Sequence, residues 1–443
     1  MTTGPPAARP GGRSLRDALL PSHPGNPGPH VRAARAVLAP ALAVALALAL
    51  ALALAVAAAV PVDPSGAASP AASTSTSFPP LLPTSLTTAG GTWATLPMGR
   101  LDQPLNTFWQ LLYLPQSGAR WADRVSALGV ATSGGITIAS AGGADLYAAT
   151  APSEQLAFSP VVRTTGRGWA DEPPAPGRAV ALAATTGRPL VALVAGRSGT
   201  RLVAAPAMPS SASWATVLTA GRLARTPAGS TCRPTRLTAV SYDAAGDLVV
   251  GADCARRGVV GLFTGRGGRW RGAAVDLPAR HPGKVAGVVA LRSAGGRVLA
   301  VLRLAGVGRT DLVAAWSPAT TTITSSPAAV GAWQASPPLV VGASASVAST
   351  GPAGPGGRGT FVLVRPGGSE PARLAWLRGP GATWQVAPRP PRGTATVAFP
   401  PSGAVLALAP HAGTLAAWRL GPGSAGWRQQ QALHVDLVYG SSQ

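Results

Sequence analysis

A repeating pattern of short apolar runs and glycine-containing turns constrains the fold of this chain more than any other feature. From about residue 91 onward, Val/Leu/Ala runs alternate with Gly/Pro/Ser turns without a strong helical periodicity, which is typical of an all-β domain. In the unit that begins at Thr394, turns separate the strand-like runs TATVAF, AVLALA, TLAAWRL and WRQQQALHV. This unit therefore predicts a four-stranded antiparallel meander.

Similar units recur upstream at a nearly constant spacing. The turn after the first strand of each unit is predicted at 132–135, 185–187, 243–246, 293–296 and 400–403, with a longer glycine-proline loop from Thr350 to Gly359. Successive turns thus begin roughly 50 to 60 residues apart, close to the period of four-stranded propeller blades. We expect a β-propeller of four-stranded antiparallel blades. Seven blades are favoured, six or eight are alternatives, and a pair of β-sandwiches is the competing fold.

Tryptophans mark the start of the last strand in most units. Because a large ring suits the space between two sheets, we expect them to pack between neighbouring blades. The units account for residues 124–436, and the strand-like pieces before residue 121 are too few for a whole blade. We therefore expect the ring to close through a blade built from both chain ends, with the tail VDLVYGSSQ supplying one strand. The tryptophans are Trp121, Trp169, Trp214, Trp270, Trp384 and Trp427.

The sequence Gly-x-x-Trp occurs at five of the predicted turns. It resembles the end of the Asp-box, Ser-x-Asp-x-Gly-x-Thr-Trp, which marks the turn between the third and fourth strands in sialidase-type propellers. The aspartate positions hold other residues here, so the chain resembles a degenerate Asp-box propeller of a bacterial extracytoplasmic protein in architecture alone. A full resemblance would imply an arginine cluster and a tyrosine nucleophile. The five occurrences are Gly90–Trp93, Gly118–Trp121, Gly166–Trp169, Gly267–Trp270 and Gly381–Trp384.

The N-terminal region carries a membrane signal. Residues 37–60 contain no charged side chain and follow a leader that is rich in arginine. At about 1.5 Å per residue, this stretch is long enough to span about 30 Å of hydrocarbon. We predict a basic disordered cytoplasmic leader (1–36), a transmembrane signal-anchor helix (37–60), a Pro/Ser/Thr linker (61–90) and an extracytoplasmic β-propeller domain (91–443). Cleavage near Ala57–Ala59, followed by secretion, is the alternative.

The charge of the chain suggests an acidic partner other than nucleic acid. The formal net charge is +22, but the arginines are scattered and form no run of five or six like charges. A basic helix with interleaved aromatic residues is also missing. We therefore expect no nucleic-acid partner. The membrane surface, an envelope protein, a glycan or an acidic wall polymer is the expected partner. The oligomeric state is left open.

The two cysteines predict a disulfide bond. Cys232 and Cys254 lie nearly symmetrically about the turn predicted at 243–246, so both can lie on adjacent antiparallel strands. An extracytoplasmic location permits their oxidation. Two buried thiols are the alternative.

Groups that carry chemistry are sparse in the body. Asp171 and Glu172 lie in WADEPPAPG, which predicts a proline-rich loop between blades, and the pair could bind a cation, act as acid and base, or simply be solvated. The histidines are not spaced for a shared metal, so we expect no metal or cofactor. The favoured function is a non-catalytic binding module, with Asp171, Glu172 and Arg358 as candidate rim residues. A sialidase-like glycan hydrolase and a structural stalk are the alternatives.

Overall fold

The structure is a computed structural model. It describes residues 81–437, except 101–105, 118–119, 129–132, 152–157, 166–167, 197, 207–212, 278–283, 319–331, 368–369 and 412. The predicted leader, the predicted membrane helix and most of the predicted linker lie outside these residues. Within the described ranges, no helix is both long enough and apolar enough to cross a membrane.

Seven sheets follow one another along the described chain, and each forms one blade; six have four antiparallel strands, and the fifth has six strands with one parallel pair. The bounds of their strands are as follows. Blade 1 contains β1 (Thr84–Thr88), β2 (Gly91–Gly99), β3 (Thr107–Pro115) and β4 (Ala122–Asp123). Blade 2 contains β5 (Gly135–Gly142), β6 (Asp145–Ala151), β7 (Ser159–Thr165) and β8 (Gly168–Ala175). Blade 3 contains β9 (Arg178–Ala183), β10 (Val191–Gly196), β11 (Gly199–Ala204) and β12 (Ala215–Thr219).

The remaining four blades continue in the same order. Blade 4 contains β13 (Pro234–Tyr242), β14 (Leu248–Cys254), β15 (Gly261–Arg266) and β16 (Arg269–Gly272). Blade 5 contains β17 (Val275–Asp276), β18 (Val285–Ala294), β19 (Arg297–Ala305), β20 (Arg309–Trp316), β21 (Trp333–Ala335) and β22 (Leu339–Gly342). Blade 6 contains β23 (Ser346–Ala353), β24 (Gly359–Arg365), β25 (Arg373–Leu377) and β26 (Gln385–Val386). Blade 7 contains β27 (Thr396–Ala398), β28 (Val405–His411), β29 (Thr414–Leu420) and β30 (Arg428–His434).

The prediction of a seven-bladed all-β propeller is confirmed. Most first-hairpin turns also lie where the sequence predicts them, but the turn predicted at 132–135 is wrong. Gly134 precedes β5, where its N–H donates to the carbonyl of Ala151 at 2.7 Å, and a Cβ there would lie 2.5 Å from that oxygen. This glycine therefore permits a close backbone approach, while the first hairpin of blade 2 turns between Gly142 and Asp145.

The core of the described domain lies between the blades. Seven clusters of buried apolar side chains occur, and each combines residues from two adjacent blades, including blades 7 and 1. A middle strand such as β19 is therefore covered on both faces, and its sequence RVLAVLRLA is a nearly continuous apolar run. The outermost strand β30 has the polar sequence RQQQALH instead.

The six tryptophans predicted at the starts of last strands lie between the blades, as predicted, and all six pack toward the preceding blade. Each packs into the cluster that joins its own blade to the preceding one; Trp214, for example, belongs to the cluster of blades 2 and 3. The indole N–H of Trp214 also donates to the carbonyl of Pro173 in blade 2 at 3.0 Å. Sequence analysis missed Trp333, which begins β21 and supplies the same contact between blades 4 and 5.

The ring does not close through a shared blade, so that prediction was wrong. Among the described residues, blade 1 uses only N-terminal strands, and it begins with β1 inside the segment 61–90 that the composition assigns to a linker. Residues 438–443 of the predicted closing strand lie outside the described residues. Side chains join blades 7 and 1 instead. The side-chain amide of Gln431 accepts a hydrogen bond from the backbone N–H of Trp121 at 2.7 Å and donates one to the backbone carbonyl of Trp121 at 2.9 Å. A shared apolar cluster completes the junction.

The predicted disulfide is confirmed. Cys232 precedes β13 and Cys254 ends β14, with their Cα atoms 4.8 Å apart. Two short helices, α1 (Ala220–Ala224) and α2 (Pro227–Ser230), lie in the connection that leads to Cys232. Each begins behind a threonine cap, because the hydroxyls of Thr219 and Thr226 accept backbone N–H groups at the first turns.

Candidate functional site

A cavity of about 540 Å³ lies on the axis of the ring. The first strand of each blade contacts the first strands of its neighbours, so these seven strands surround the axis. Residues that line the cavity come mainly from the ends of these strands and from the first-hairpin turns. We call this side of the ring the cavity end. The opposite side, where the first strands begin and where Cys232 and Cys254 lie, is the disulfide end.

The lining combines hydroxyl groups, apolar groups and a single charge. Ser and Thr side chains come from blades 1, 2, 4, 5 and 6, and apolar side chains lie between them. Of the residues that line the cavity, none is a carboxylate, a tyrosine or a histidine, and Arg292 alone is ionisable. The hydroxyl-bearing residues are Thr84, Ser85, Thr87, Thr88, Ser140, Ser241, Ser293 and Thr350.

Several of these hydroxyls are already engaged by the fold. Thr84 donates to the carbonyl of Thr350 at 2.7 Å, and Thr350 donates to the carbonyl of Phe361 at 2.8 Å. Both bonds fix strands of blades 1 and 6 around the cavity. The Ser85 hydroxyl differs, because it is buried and has no hydrogen-bond partner among the described residues. It is therefore one polar group in the wall that remains available to a ligand.

Arg292 is the other such group. It lies near the end of β18, and its Nη2 donates to the backbone carbonyl of Gly359 in blade 6. Its Nε and Nη1 are buried and have no partner among the described residues. Burial lowers the pKa of this guanidinium to about 9. The group therefore remains protonated at neutral pH, and it places one positive charge in the wall of the cavity.

The loop between β23 and β24 lines the cavity, and Gly359 directly after it accepts the hydrogen bond from Arg292. Gly354, Gly356 and Gly357 have φ angles of 73°, 63° and 65°, which disfavour larger side chains. The loop ends at Arg358, whose carbonyl accepts the indole N–H of Trp316 at 3.2 Å. Arg358 is exposed at the cavity end, on the loop for which the sequence predicts a rim position. A binding role of Arg358 itself stays a prediction.

Asp171 and Glu172 do not lie in a loop, and that prediction was wrong. Both belong to β8, the outermost strand of blade 2, where they lie opposite Val162 and Val161. The carboxylate of Glu172 lies 3.0 Å from Nε of Arg163. Neither acid lines the axial cavity. Their role in binding stays a prediction, now for the outer surface of blade 2.

The described tyrosines are held by the fold. Tyr113 donates to the carbonyl of Gly90 and Tyr242 donates to the carbonyl of Pro189, both at 2.7 Å. Burial raises the pKa of Tyr242 to about 12, so its phenolate form is strongly disfavoured at neutral pH. Tyr147 on β6 packs beside Arg163 on β7, and burial raises the pKa of Tyr147 too. None of these three residues lines the cavity.

A charged cluster lies at the disulfide end of blade 5. The carboxylate of Asp311 has no solvent-accessible surface and lies 2.5 Å from Nζ of Lys284 and 3.1 Å from Nη2 of Arg309. Burial acts to raise the pKa of Asp311, but the hydrogen bonds from these two cations prevail and lower it. The described residues hold no group of three or more His, Cys, Asp and Glu side chains arranged for a metal.

Comparisons with known proteins find similar chains among solved structures. No family model and no curated protein matches the chain. Among solved structures, the chain is similar to the GH74 xyloglucanase from Xanthomonas campestris, with 16% identity and a TM-score of 0.47 over 79% of this chain and 54% of that one. It is also similar to the β-propeller domain of the Trilobed protease from Pyrococcus furiosus, with 12% identity and a TM-score of 0.41 over 82% and 98% of the chains.

A third similar structure is a prolyl endopeptidase, with 12% identity and a TM-score of 0.44 over 80% of this chain and 50% of that one. The chain thus spans about half the length of the xyloglucanase and of this peptidase. The structure supports the Asp-box resemblance only as far as the propeller fold. Trp121, Trp169, Trp270 and Trp384 do begin or precede fourth strands, whereas Trp93 lies in the second strand of its blade.

Proposed function

We propose that this chain is a non-catalytic binding module, an extracytoplasmic β-propeller tethered to a membrane by its N-terminal segment. Its ligand, a segment of an envelope protein, a glycan or a wall polymer, enters the axial cavity from the cavity end. The observation that carries this proposal is the cavity itself, which all seven blades surround. Its volume lies within the range of roughly 300–1,000 Å³ that is typical of ligand pockets.

The composition of the lining favours binding over catalysis. A glycosidase of sialidase-like type requires a carboxylate and a tyrosine at one mouth of the ring. The lining offers hydroxyls, apolar groups and Arg292 instead. This combination suits recognition, because apolar walls desolvate a ligand while a few polar groups orient it.

A blocked cavity tests the proposed site. Ala184 lines the cavity, is partly exposed and lies at the edge of the apolar cluster between blades 2 and 3, so Ala184→Trp narrows the cavity, and its thermal unfolding is measured to check that the fold is retained. Val386→Trp is the matched control, because Val386 lies on the outermost strand of blade 6 and is 63% exposed. Saturation-transfer NMR with the full-length chain in mild detergent would measure contact with wall-polymer fragments and envelope-derived peptides. We expect contact in the wild type and the control, and a loss in Ala184→Trp.

Two other outcomes would contradict the proposal. Equal contact in all three proteins would move binding away from the axis. Cleavage of chromogenic glycosides by the wild type, with loss in Glu172→Ala, would favour the hydrolase. The tether is tested separately by protease treatment of intact cells. The propeller should be digested from outside while an epitope within residues 1–36 stays protected, and digestion of the propeller only after lysis would refute the predicted topology.

A further inference from the structure

The position of Arg292 sets it apart from the other cations of the molecule. It is the one ionisable side chain in the cavity lining, and it lies on β18 two residues before that strand ends. Its side chain crosses toward blade 6, where Nη2 reaches the carbonyl of Gly359. The guanidinium therefore contacts the first residue of β24, next to the loop that begins at Gly354 and lines the same cavity.

The guanidinium of Arg292 has no carboxylate partner among the described residues. A guanidinium has five N–H donors, and the structure gives this one a single carbonyl acceptor. Nε and Nη1 are covered from solvent without a partner, and no carboxylate among the described residues pairs with the group. An unpaired buried charge costs free energy unless another group compensates it. A cation of this kind at a cavity wall is therefore suited to an external anion.

We infer that the axial cavity binds its ligand through an oxyanion group, either a carboxylate or a phosphate, with the guanidinium of Arg292 as the counter-charge. This inference rests on the proposed function and gives it a ligand class. The bond from Nη2 to a neutral carbonyl is exchanged for charge-assisted hydrogen bonds, which are shorter and roughly twice as strong. The unpartnered Ser85 hydroxyl provides a second donor from blade 1.

Access to the guanidinium requires a local rearrangement of the wall. Either the Arg292 side chain rotates into the cavity, or the neighbouring loop moves aside. Glycines at positions 354, 356 and 357 give that loop backbone freedom at three of its residues. The acidic side chains that have partners near this end, Asp243 and Asp247, are engaged by blade 4 itself: Asp243 accepts backbone N–H groups, and Asp247 pairs with Arg266. They do not compete for Arg292.

The test compares anionic probes with their neutral counterparts. Glucuronate and glycerol 3-phosphate supply the two oxyanions, and glucose and glycerol lack them. Isothermal titration calorimetry would use the full-length chain in mild detergent, with probes up to about 10 mM, which covers weak affinities. Arg292→Gln removes the charge at similar size, and Arg292→Lys retains it. Arg378→Gln is the matched control, because Arg378 lies beside the same loop, next to Gly354, but is exposed and does not line the cavity.

We expect the wild type to bind one oxyanion and not its neutral counterpart. The preferred probe then assigns the ligand as a carboxylate or a phosphate. Arg292→Gln should weaken binding roughly 10- to 100-fold, the range for a lost hydrogen bond to a charged group. Arg292→Lys should recover part of that loss, and Arg378→Gln should bind like the wild type. Retained thermal unfolding of Arg292→Gln would show that the loss is not a folding defect.

Three outcomes would overturn the inference. They are no binding of either oxyanion to the wild type, equal binding by Arg292→Gln, and equal losses in Arg292→Gln and Arg378→Gln. The inference and the proposed function fail in different ways. If a neutral fragment binds and Ala184→Trp blocks it while Arg292→Gln does not, the cavity is the site but its ligand is not anionic. If oxyanion binding depends on Arg292 but survives Ala184→Trp, the ligand does not enter along the axis.

Discussion

The two ends of the ring treat buried charge in opposite ways. At the disulfide end of blade 5, the inaccessible carboxylate of Asp311 is paired with Lys284 and Arg309. At the cavity end of the same blade, the covered guanidinium of Arg292 meets one carbonyl and no acid. Both groups lie on strands of a single sheet, so the difference does not come from a different fold. It indicates that the disulfide end is built for stability, whereas the cavity end retains an unmet interaction.

The disulfide should give the largest effect at the stable end. Cys232→Ser/Cys254→Ser opens a link between residues 22 positions apart, and the chain-entropy treatment of such a loop predicts a loss of about 3.4 kcal/mol in the free energy of unfolding. Urea unfolding of the double variant would measure this loss, with the reduced wild type as control. Unchanged stability would mean that this end does not depend on its cross-link.

Asp311→Asn should be nearly as costly. The substitution leaves Lys284, whose side chain is only 17% exposed, without its carboxylate, and breaking a buried ion pair costs roughly 3 kcal/mol. Asp253→Asn is the matched control, because Asp253 pairs with Arg236 at 2.7 Å in a more exposed setting. Its loss should stay below about 1 kcal/mol in urea unfolding. Equal losses in the two variants would remove the contrast between compensated and exposed charge.

Arg292→Met should have the opposite sign in the absence of ligand. Replacing a buried, unpaired charge with an apolar side chain of similar length should raise the free energy of unfolding by about 1–2 kcal/mol. Arg358→Met, at the exposed end of the same loop, should change it by less than about 0.5 kcal/mol. If Arg292→Met instead destabilised the chain, the guanidinium would already be compensated, and the two ends would not differ.

The smallest effect should be the acid dependence of stability. The pKa of Asp311 is lowered in the folded state from the ordinary value of 3.8, so folding favours its ionised form. The stabilisation that results is present at neutral pH and is lost as the pH falls below 3.8 toward the folded pKa. Urea unfolding between pH 7 and pH 3 should therefore show a steeper decline in the wild type than in Asp311→Asn. Parallel declines would contradict the assignment.

Much of the fold could be predicted because its determinants are local. Glycine turns and tryptophans recur in each unit, and the two cysteines flank a hairpin symmetrically, so their positions alone indicate the pairing. Trp333 escaped notice because the polar sequence from Ser317 to Gly331 separates it widely from the preceding apolar run. The closing blade was wrong because the choice between a shared blade and a seam of side chains is made by contacts such as Gln431 with Trp121, which are 310 residues apart.

The candidate site was harder to predict from the sequence. Arg292 is one of 37 lysines and arginines. Two of its buried nitrogens, Nε and Nη1, have no hydrogen-bond partner among the described residues, and only the tertiary structure shows this. Asp171 and Glu172 were assigned to a loop because two prolines follow them. In the structure β8 is an outermost strand, where a residue without an N–H does not interrupt an inner ladder. Proline was therefore a poor indicator of a loop at this position.

Blades 7 and 1 are held together by side-chain contacts and not by a backbone connection. At every other junction the polypeptide itself passes from one blade to the next. Here the last and first blades are joined by the Gln431 amide and a shared apolar cluster. No sheet among the described residues takes strands from both blade 7 and blade 1, so separating these two blades would leave every sheet with all of its strands. We therefore expect a mechanical load on the ring to open it at this junction first.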